Sequence, residues 1–206
     1  MVKKQYMQSK QQSKTEKLPI DPNEKLSSRF PQGLPAGKVY KSVPGIGATT
    51  AELKAPRNSI IVVPTRSLAF GKWMSKAAKN PLYVGGAYAA QGKSFPITTQ
   101  NEIIRYINKK SKYYKKIIVV ADSLEKLMRF APDNSLDNYF LMVDEIDTFQ
   151  FDSNFRPALE RAIDYYWEHR QDKRSMVTAT PIDFQADDNE PITEIQANNY
   201  HKPRLI

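Results

Sequence analysis

The chain has 206 residues, 40% of them hydrophobic, with no cysteine and two histidines, His169 and His201. That is enough for one domain with a full core, and it excludes disulfides and thiolate metal sites and leaves no basis for a zinc site. Thirty-one Lys and Arg against 22 Asp and Glu give a net charge of +9, which favours polyanionic partners, nucleic acid first. No apolar run approaches the ~20 residues of a membrane helix, and the basic N-terminal segment lacks the apolar stretch of a secretory signal. A cytoplasmic protein with no membrane partner is expected.

Residues 1–18 are rich in Lys and Gln and read as a basic flexible arm. Residues 19–36 carry Pro19, Pro22, Pro31, Pro35 and Gly33, punctuation that predicts an extended lead-in without a helix. From there the pattern alternates. Strands are predicted at 38–42, 59–63, 116–120, 139–143 and 175–178. Of these, Ser59-Ile60-Ile61-Val62-Val63 and Lys116-Ile117-Ile118-Val119-Val120 have the continuous apolar character of strands buried on both faces. Helices are predicted at 66–79, 98–110, 123–130 and 155–170. In the last, Ile163, Tyr166 and Trp167 are expected in the core and Tyr165 outside. This alternation predicts an α/β fold, a parallel sheet with helices on both faces, whose ligands bind at the carboxyl ends of the strands. Residues 186–206 read as a C-terminal tail or the start of a missing second lobe, with at most one strand over 192–206.

Those strand ends carry the chemistry. After the first strand comes Pro44-Gly45-Ile46-Gly47-Ala48-Thr49-Thr50, a glycine-rich turn into a helix, suited to presenting backbone N–H groups to a phosphate. Against the P-loop pattern G-x-x-x-x-G-K-[ST], Gly47 and Thr49 match, Ser42 stands at the first glycine and Ala48 at the lysine. The second strand runs into Pro64-Thr65-Arg66-Ser67-Leu68-Ala69, which puts Arg66 at a strand end beside a helix start, placed for a phosphate. After the third strand, Asp122 or Ser123 reads as a helix cap. The fourth delivers Val143-Asp144-Glu145-Ile146-Asp147, the paired carboxylates of a Walker B arrangement. The fifth ends in Thr178-Ala179-Thr180-Pro181.

In order and context, GIGATT, PTRSLA, VDEID and TATP resemble the motifs of superfamily 2 DEAD/DEAH-type helicases over roughly residues 37–185. The resemblance implies a RecA-like P-loop lobe, the first, ATP-binding one. It implies ATP and Mg²⁺ as cofactors, bound by Pro44, Gly45, Ile46, Gly47, Ala48, Thr49 and Thr50. Thr49 and Asp144 would hold the metal, and Glu145 with Asp144 would serve catalysis. Thr65 and Arg66 would touch nucleic acid, DNA favoured over RNA, and Thr178 and Thr180 would couple the two sites.

Two departures qualify that implication. Ala48 replaces a lysine that, in the family, bridges the terminal phosphates; Lys38 and Lys41 lie upstream, and neither matches the alternative lysine placement of deviant P-loops. After Pro181 only 25 residues remain, too few for the second RecA-like lobe such helicases need in cis or in trans. The expectation is a fragment, half of a split protein or a one-lobe derivative, unable to unwind alone. The competing reading is a catalytically inactive pseudo-helicase that binds nucleic acid or a replication partner, through the basic arm at Lys3, Lys4, Lys10 and Lys14 or through Tyr165-Tyr166-Trp167. A small kinase or partition-type ATPase is a third reading, against which PTRSLA and TATP argue.

Overall fold

The structure is a computed structural model that describes residues 15–21, 23–42, 45–146, 156–180 and 190–198. Pro44, Asp147, Pro181, His201 and the arm lysines lie outside the described residues, as do 186–189 and 199–206 of the expected tail.

Ten strands are described: β1 (Thr15–Ile20), β2 (Gly37–Lys41), β3 (Ser59–Val63), β4 (Leu82–Val84), β5 (Tyr88–Ala90), β6 (Lys93–Phe95), β7 (Lys116–Val120), β8 (Phe140–Val143), β9 (Arg174–Thr178) and β10 (Ile192–Ala197). The helices are α1 (Leu26–Arg29), α2 (Ala48–Lys54), α3 (Arg66–Met74), α4 (Gln100–Asn108), α5 (Leu124–Phe130) and α6 (Arg156–Glu168). Eight strands form one sheet in the order β1-β10-β2-β9-β8-β3-β7-β4, and every pairing in it is parallel. β5 and β6 form a separate antiparallel hairpin. This is the predicted α/β class, and it is consistent with a RecA-like lobe.

Side-chain alternation along each strand explains the two covered faces. Ile60 and Val62 of β3, with Ile117 and Val119 of β7, pack against Ile103 and Ile107 of α4, Leu124 and Leu127 of α5, and Ala162 and Tyr166 of α6. Their neighbours Ile61, Val63, Ile118 and Val120 point to the other face, against Leu26 of α1, Ala48, Ala51 and Leu53 of α2, and Ala69 of α3. Each buried Val, Leu or Ile among them contributes roughly 1.5–3 kcal/mol. Local signals agree with this packing. Thr65 caps α3 by accepting from the Leu68 N–H at 3.3 Å. Thr99 and Glu102 form a reciprocal capping box at α4, and these hydrogen bonds from Thr99 hold the Glu102 carboxyl below its ordinary pKa.

Several expectations need correction. Residues 15–18, assigned to the arm, form most of β1, and α1 interrupts the lead-in expected to lack a helix. β4, β5 and β6 were not predicted. Ser123 does not cap α5 with its side chain; its hydroxyl donates to Asp122 Oδ1 at 2.8 Å. On α6, Tyr166 is fully buried, while Tyr165 packs half-buried against the same core, as Ile163 and Trp167 do.

β10 inserts between β1 and β2, and Gly37 makes this possible. Its φ is +99°, and a Cβ there would lie 2.3 Å from the Pro191 carbonyl oxygen, which accepts from the Lys38 N–H at 2.9 Å. Only glycine suits that backbone and that approach.

Candidate functional site: the carboxyl ends of β2, β9 and β8

The sheet order sets β9 between the glycine-turn strand β2 and the acidic strand β8. Tyr40 pairs with Thr178 across β2 and β9, and Val143 with Met176 across β8 and β9. The three strand ends that carry GIGATT, TATP and VDEID therefore stand side by side.

From β2 the chain turns through Gly45 at φ +75° and Gly47 at φ +93°, left-handed backbone that favours glycine. No neighbour crowds either position: a Cβ at Gly45 would meet nothing within 4 Å, so conformation rather than space selects glycine. Gly47 is the N-cap of α2, and its carbonyl accepts from the Ala51 N–H at 2.8 Å. Ile46 packs half-buried on the α1–α3 side, and its carbonyl accepts from the Leu26 N–H at 3.3 Å. Thr50 is half-buried in the first turn of α2.

Thr49 and Asp144 meet directly. The Thr49 hydroxyl, 2% exposed, donates to Asp144 Oδ2 across 95 residues of sequence. Asp144 is 1% exposed and anchored to β3 by its N–H, which donates to the Val62 carbonyl at 2.9 Å. Its other oxygen, Oδ1, is buried without a hydrogen bond among the described residues. The Lys41 ammonium stands 3.6 Å from that oxygen, as an ion pair with both side chains buried. Glu145 follows, half-buried, with φ +57°. A non-glycine residue in that region costs of order 1 kcal/mol or more, and such strain concentrates at functional sites. On β9, the buried Thr178 hydroxyl donates to the Thr180 carbonyl at 2.8 Å and accepts from the Thr180 N–H at 3.1 Å. That exchange closes the loop on itself at the end of β9. Beside them lies a pocket of about 210 Å³, lined by Tyr40, Lys41, Ser42, Ala179, Glu194 and Ile195 among others.

Ala48 faces inward. It is 2% exposed and part of the apolar cluster under α2. The residue at the lysine position thus lends the site backbone but no side chain. In the sequence Lys41 was one of two lysines upstream of the turn, with nothing to choose between it and Lys38; the fold separates them. Lys41 shares a β2 face with buried Val39 by the two-residue period, which aims it towards α2 and away from solvent.

Thr65 and Arg66 sit at the end of β3, the strand beyond β8. Thr65 is occupied as the α3 cap. Arg66 is about half exposed, lies over Gly86, and pairs with Asp122 of the neighbouring strand end at 3.8 Å. β3 adjoins β8 on one side and β7 on the other, and Arg66 turns to Asp122 at the end of β7, so it belongs to the same edge while its ion pair lies on the side away from Asp144.

The donor set suits a magnesium ion: a hydroxyl, a carboxylate with one buried oxygen not hydrogen-bonded, and a second carboxylate next in sequence. Among the described residues no group of three His, Cys, Asp or Glu side chains could hold a metal by itself. Mg²⁺ bound with phosphate oxygens and water needs only one or two protein ligands. Among the described residues no helix is long and apolar enough to cross a membrane. In comparison with known proteins, no family model and no curated protein matches the chain.

Proposed function

We propose that the chain is the first, nucleotide-binding lobe of a helicase or helicase-like translocase. The observation that carries this reading is the Thr49 hydroxyl on the Asp144 carboxylate, beside a left-handed glycine turn. Two sequence segments 95 residues apart converge as a P-loop hydroxyl and a Walker B carboxylate do. In this reading ATP lies over the Gly45–Thr50 turn, and Thr49 and Asp144 hold Mg²⁺, which neutralises charge on the phosphates. Glu145 orients the attacking water and accepts its proton. Arg66 contacts a nucleic-acid backbone, DNA before RNA, once phosphate displaces Asp122, and the Thr178–Thr180 loop couples the two regions. Turnover and movement await a second RecA-like lobe, in cis or in trans. The test is titration of Mg²⁺-ATP into the chain. Saturable binding lost in Asp144→Asn is expected, and no saturable binding by the unaltered chain refutes the reading. A Glu145→Gln variant that binds but does not hydrolyse assigns any ATPase activity to this site.

A second reading, a pseudo-helicase that binds nucleic acid without hydrolysis, draws on a different surface. The α4–β7 loop presents Tyr113 and Tyr114, 44% and 54% exposed, among Lys109, Lys110, Lys112 and Lys115. Exposed aromatics between lysines suit stacking on single-stranded bases. This reading expects single-stranded DNA binding that is indifferent to ATP and weakened in Tyr113→Ala/Tyr114→Ala; binding that follows nucleotide state favours the first.

A further inference from the structure

We infer that Lys41 supplies the phosphate-binding cation that Ala48 cannot, presenting it to the terminal phosphates of a nucleoside triphosphate from the end of β2. The inference rests on the nucleotide-binding reading and deepens it.

Position 48 is closed to this role by packing. Ala48 is 2% exposed in the cluster of Ala51, Leu53 and Val39, so its side chain points into the core and away from the strand ends. Lys41 has the opposite placement. The residue is buried, 6% exposed, and lines the pocket beside Ser42 and Ala179, while its ammonium reaches the carboxyl end of β8. There it faces Asp144 Oδ1 at 3.6 Å, close enough for attraction and too long for a hydrogen bond. The Asp144 carboxylate is thus bracketed by the Thr49 hydroxyl on one oxygen and the Lys41 ammonium near the other.

The other buried lysine near α2 shows what a purely structural lysine looks like in this fold. The Lys116 ammonium donates to the Glu52 carbonyl at 2.7 Å and to the Ser59 hydroxyl at 2.9 Å. Among the described residues, no hydrogen bond fixes the Lys41 ammonium. A buried ion pair without hydrogen bonds is a poor stabilising device, and an apolar side chain of similar volume serves stability as well or better. A lysine at this place has a reason if an anion completes it. With Asp144 engaged by a metal, Lys41 would be left to pair with a phosphate oxygen within reach of its flexible stem.

The experiment titrates a fluorescent ATP analogue, and the corresponding AMP analogue, into the full chain with Mg²⁺, comparing the unaltered protein with Lys41→Met, Lys41→Gln and Lys41→Arg. Loss of one charge-assisted hydrogen bond predicts triphosphate affinity about 10-fold or more weaker in Lys41→Met and Lys41→Gln, little change for monophosphate, and substantial retention in Lys41→Arg. Thermal melting accompanies each variant. If Lys41→Met melts early, the polar Lys41→Gln decides. Equal triphosphate affinity in the unaltered and folded neutral variants overturns the inference and leaves the nucleotide reading standing. Tighter Mg²⁺ binding with unchanged triphosphate affinity also overturns it, making Lys41 a stand-in for the metal. Failure of the unaltered chain to bind nucleotide overturns both.

Discussion

The two edges of the sheet handle buried charge in opposite ways. At the amino edge two buried charges, Glu52 and Arg174, are saturated. Glu52, fully buried, accepts from the Leu34 N–H, the Ser59 hydroxyl and the Arg57 guanidinium, which also lies 3.3 Å over the Phe140 ring centroid. Arg174 bonds Glu190 and the Tyr166, Trp167 and His169 carbonyls that end α6, and Glu190 in turn accepts from the Tyr166 hydroxyl at 2.7 Å. At the carboxyl edge Asp144 keeps one oxygen without a hydrogen bond among the described residues, Lys41 stands just short of it, and Glu145 sits in left-handed backbone. A saturated network fixes elements in place, whereas an unsaturated one is arranged for something that completes it.

Substitutions can break that contrast. The largest effect is expected at the amino edge: Arg174→Ala strands Glu190 and uncaps α6, and should cost about 3–5 kcal/mol in denaturant unfolding. Ala48→Lys should cost about 1–3 kcal/mol, because the new stem enters a packed cluster; a variant with unchanged melting would show that position 48 opens to the site after all. Thr49→Val should cost less, about 1–2 kcal/mol for the lost hydroxyl contact, while weakening Mg²⁺-ATP binding at least tenfold if the proposed function holds.

A pH series sharpens the comparison. Burial lowers the Lys116 ammonium from its ordinary 10.5 to about 8, partly offset by Glu52. Between those values the unfolded chain binds more protons than the folded one, so this group makes stability rise with pH there. Relative to Lys116→Met, the unaltered protein should gain stability from pH 8 towards 10.5, and parallel curves would refute the shift. The smallest effect is at the exposed Arg66–Asp122 pair. Asp122→Asn should change stability by less than about 1 kcal/mol and, if the proposed function holds, should strengthen DNA binding a few-fold by freeing Arg66, as read by fluorescence anisotropy.

The strands with continuous apolar runs were legible because burial on both faces leaves one residue class: β3 and β7 match their predicted limits. β1, TEKLPI, was not, because an outermost strand beside solvent keeps charges that a tail also has, and β10, ITEIQA, one place further in, carries Glu194 and Gln196 and was read only as at most one strand in a tail. The hairpin strands and β4, at three residues each, are too short to show a period. In the site, Thr49 and Asp144 were readable from spacing and neighbours. Lys41 was not, since its role depends on which face of β2 meets α2, a fact of packing. The pairing of Arg66 with Asp122 depends likewise on β3 and β7 being neighbours.

The insertion of β10 between β1 and β2 has a consequence for how the protein comes into being. Asp21 and Asn198, 177 residues apart, meet side chain to side chain at 2.8 Å, and β2 gains its second neighbour only when residues 192–195 arrive. Pairing over such a span closes late, because a long loop must be ordered before the contacts that reward it. On the ribosome, the strand that carries Lys41 would wait as an open edge until nearly all the described chain had emerged.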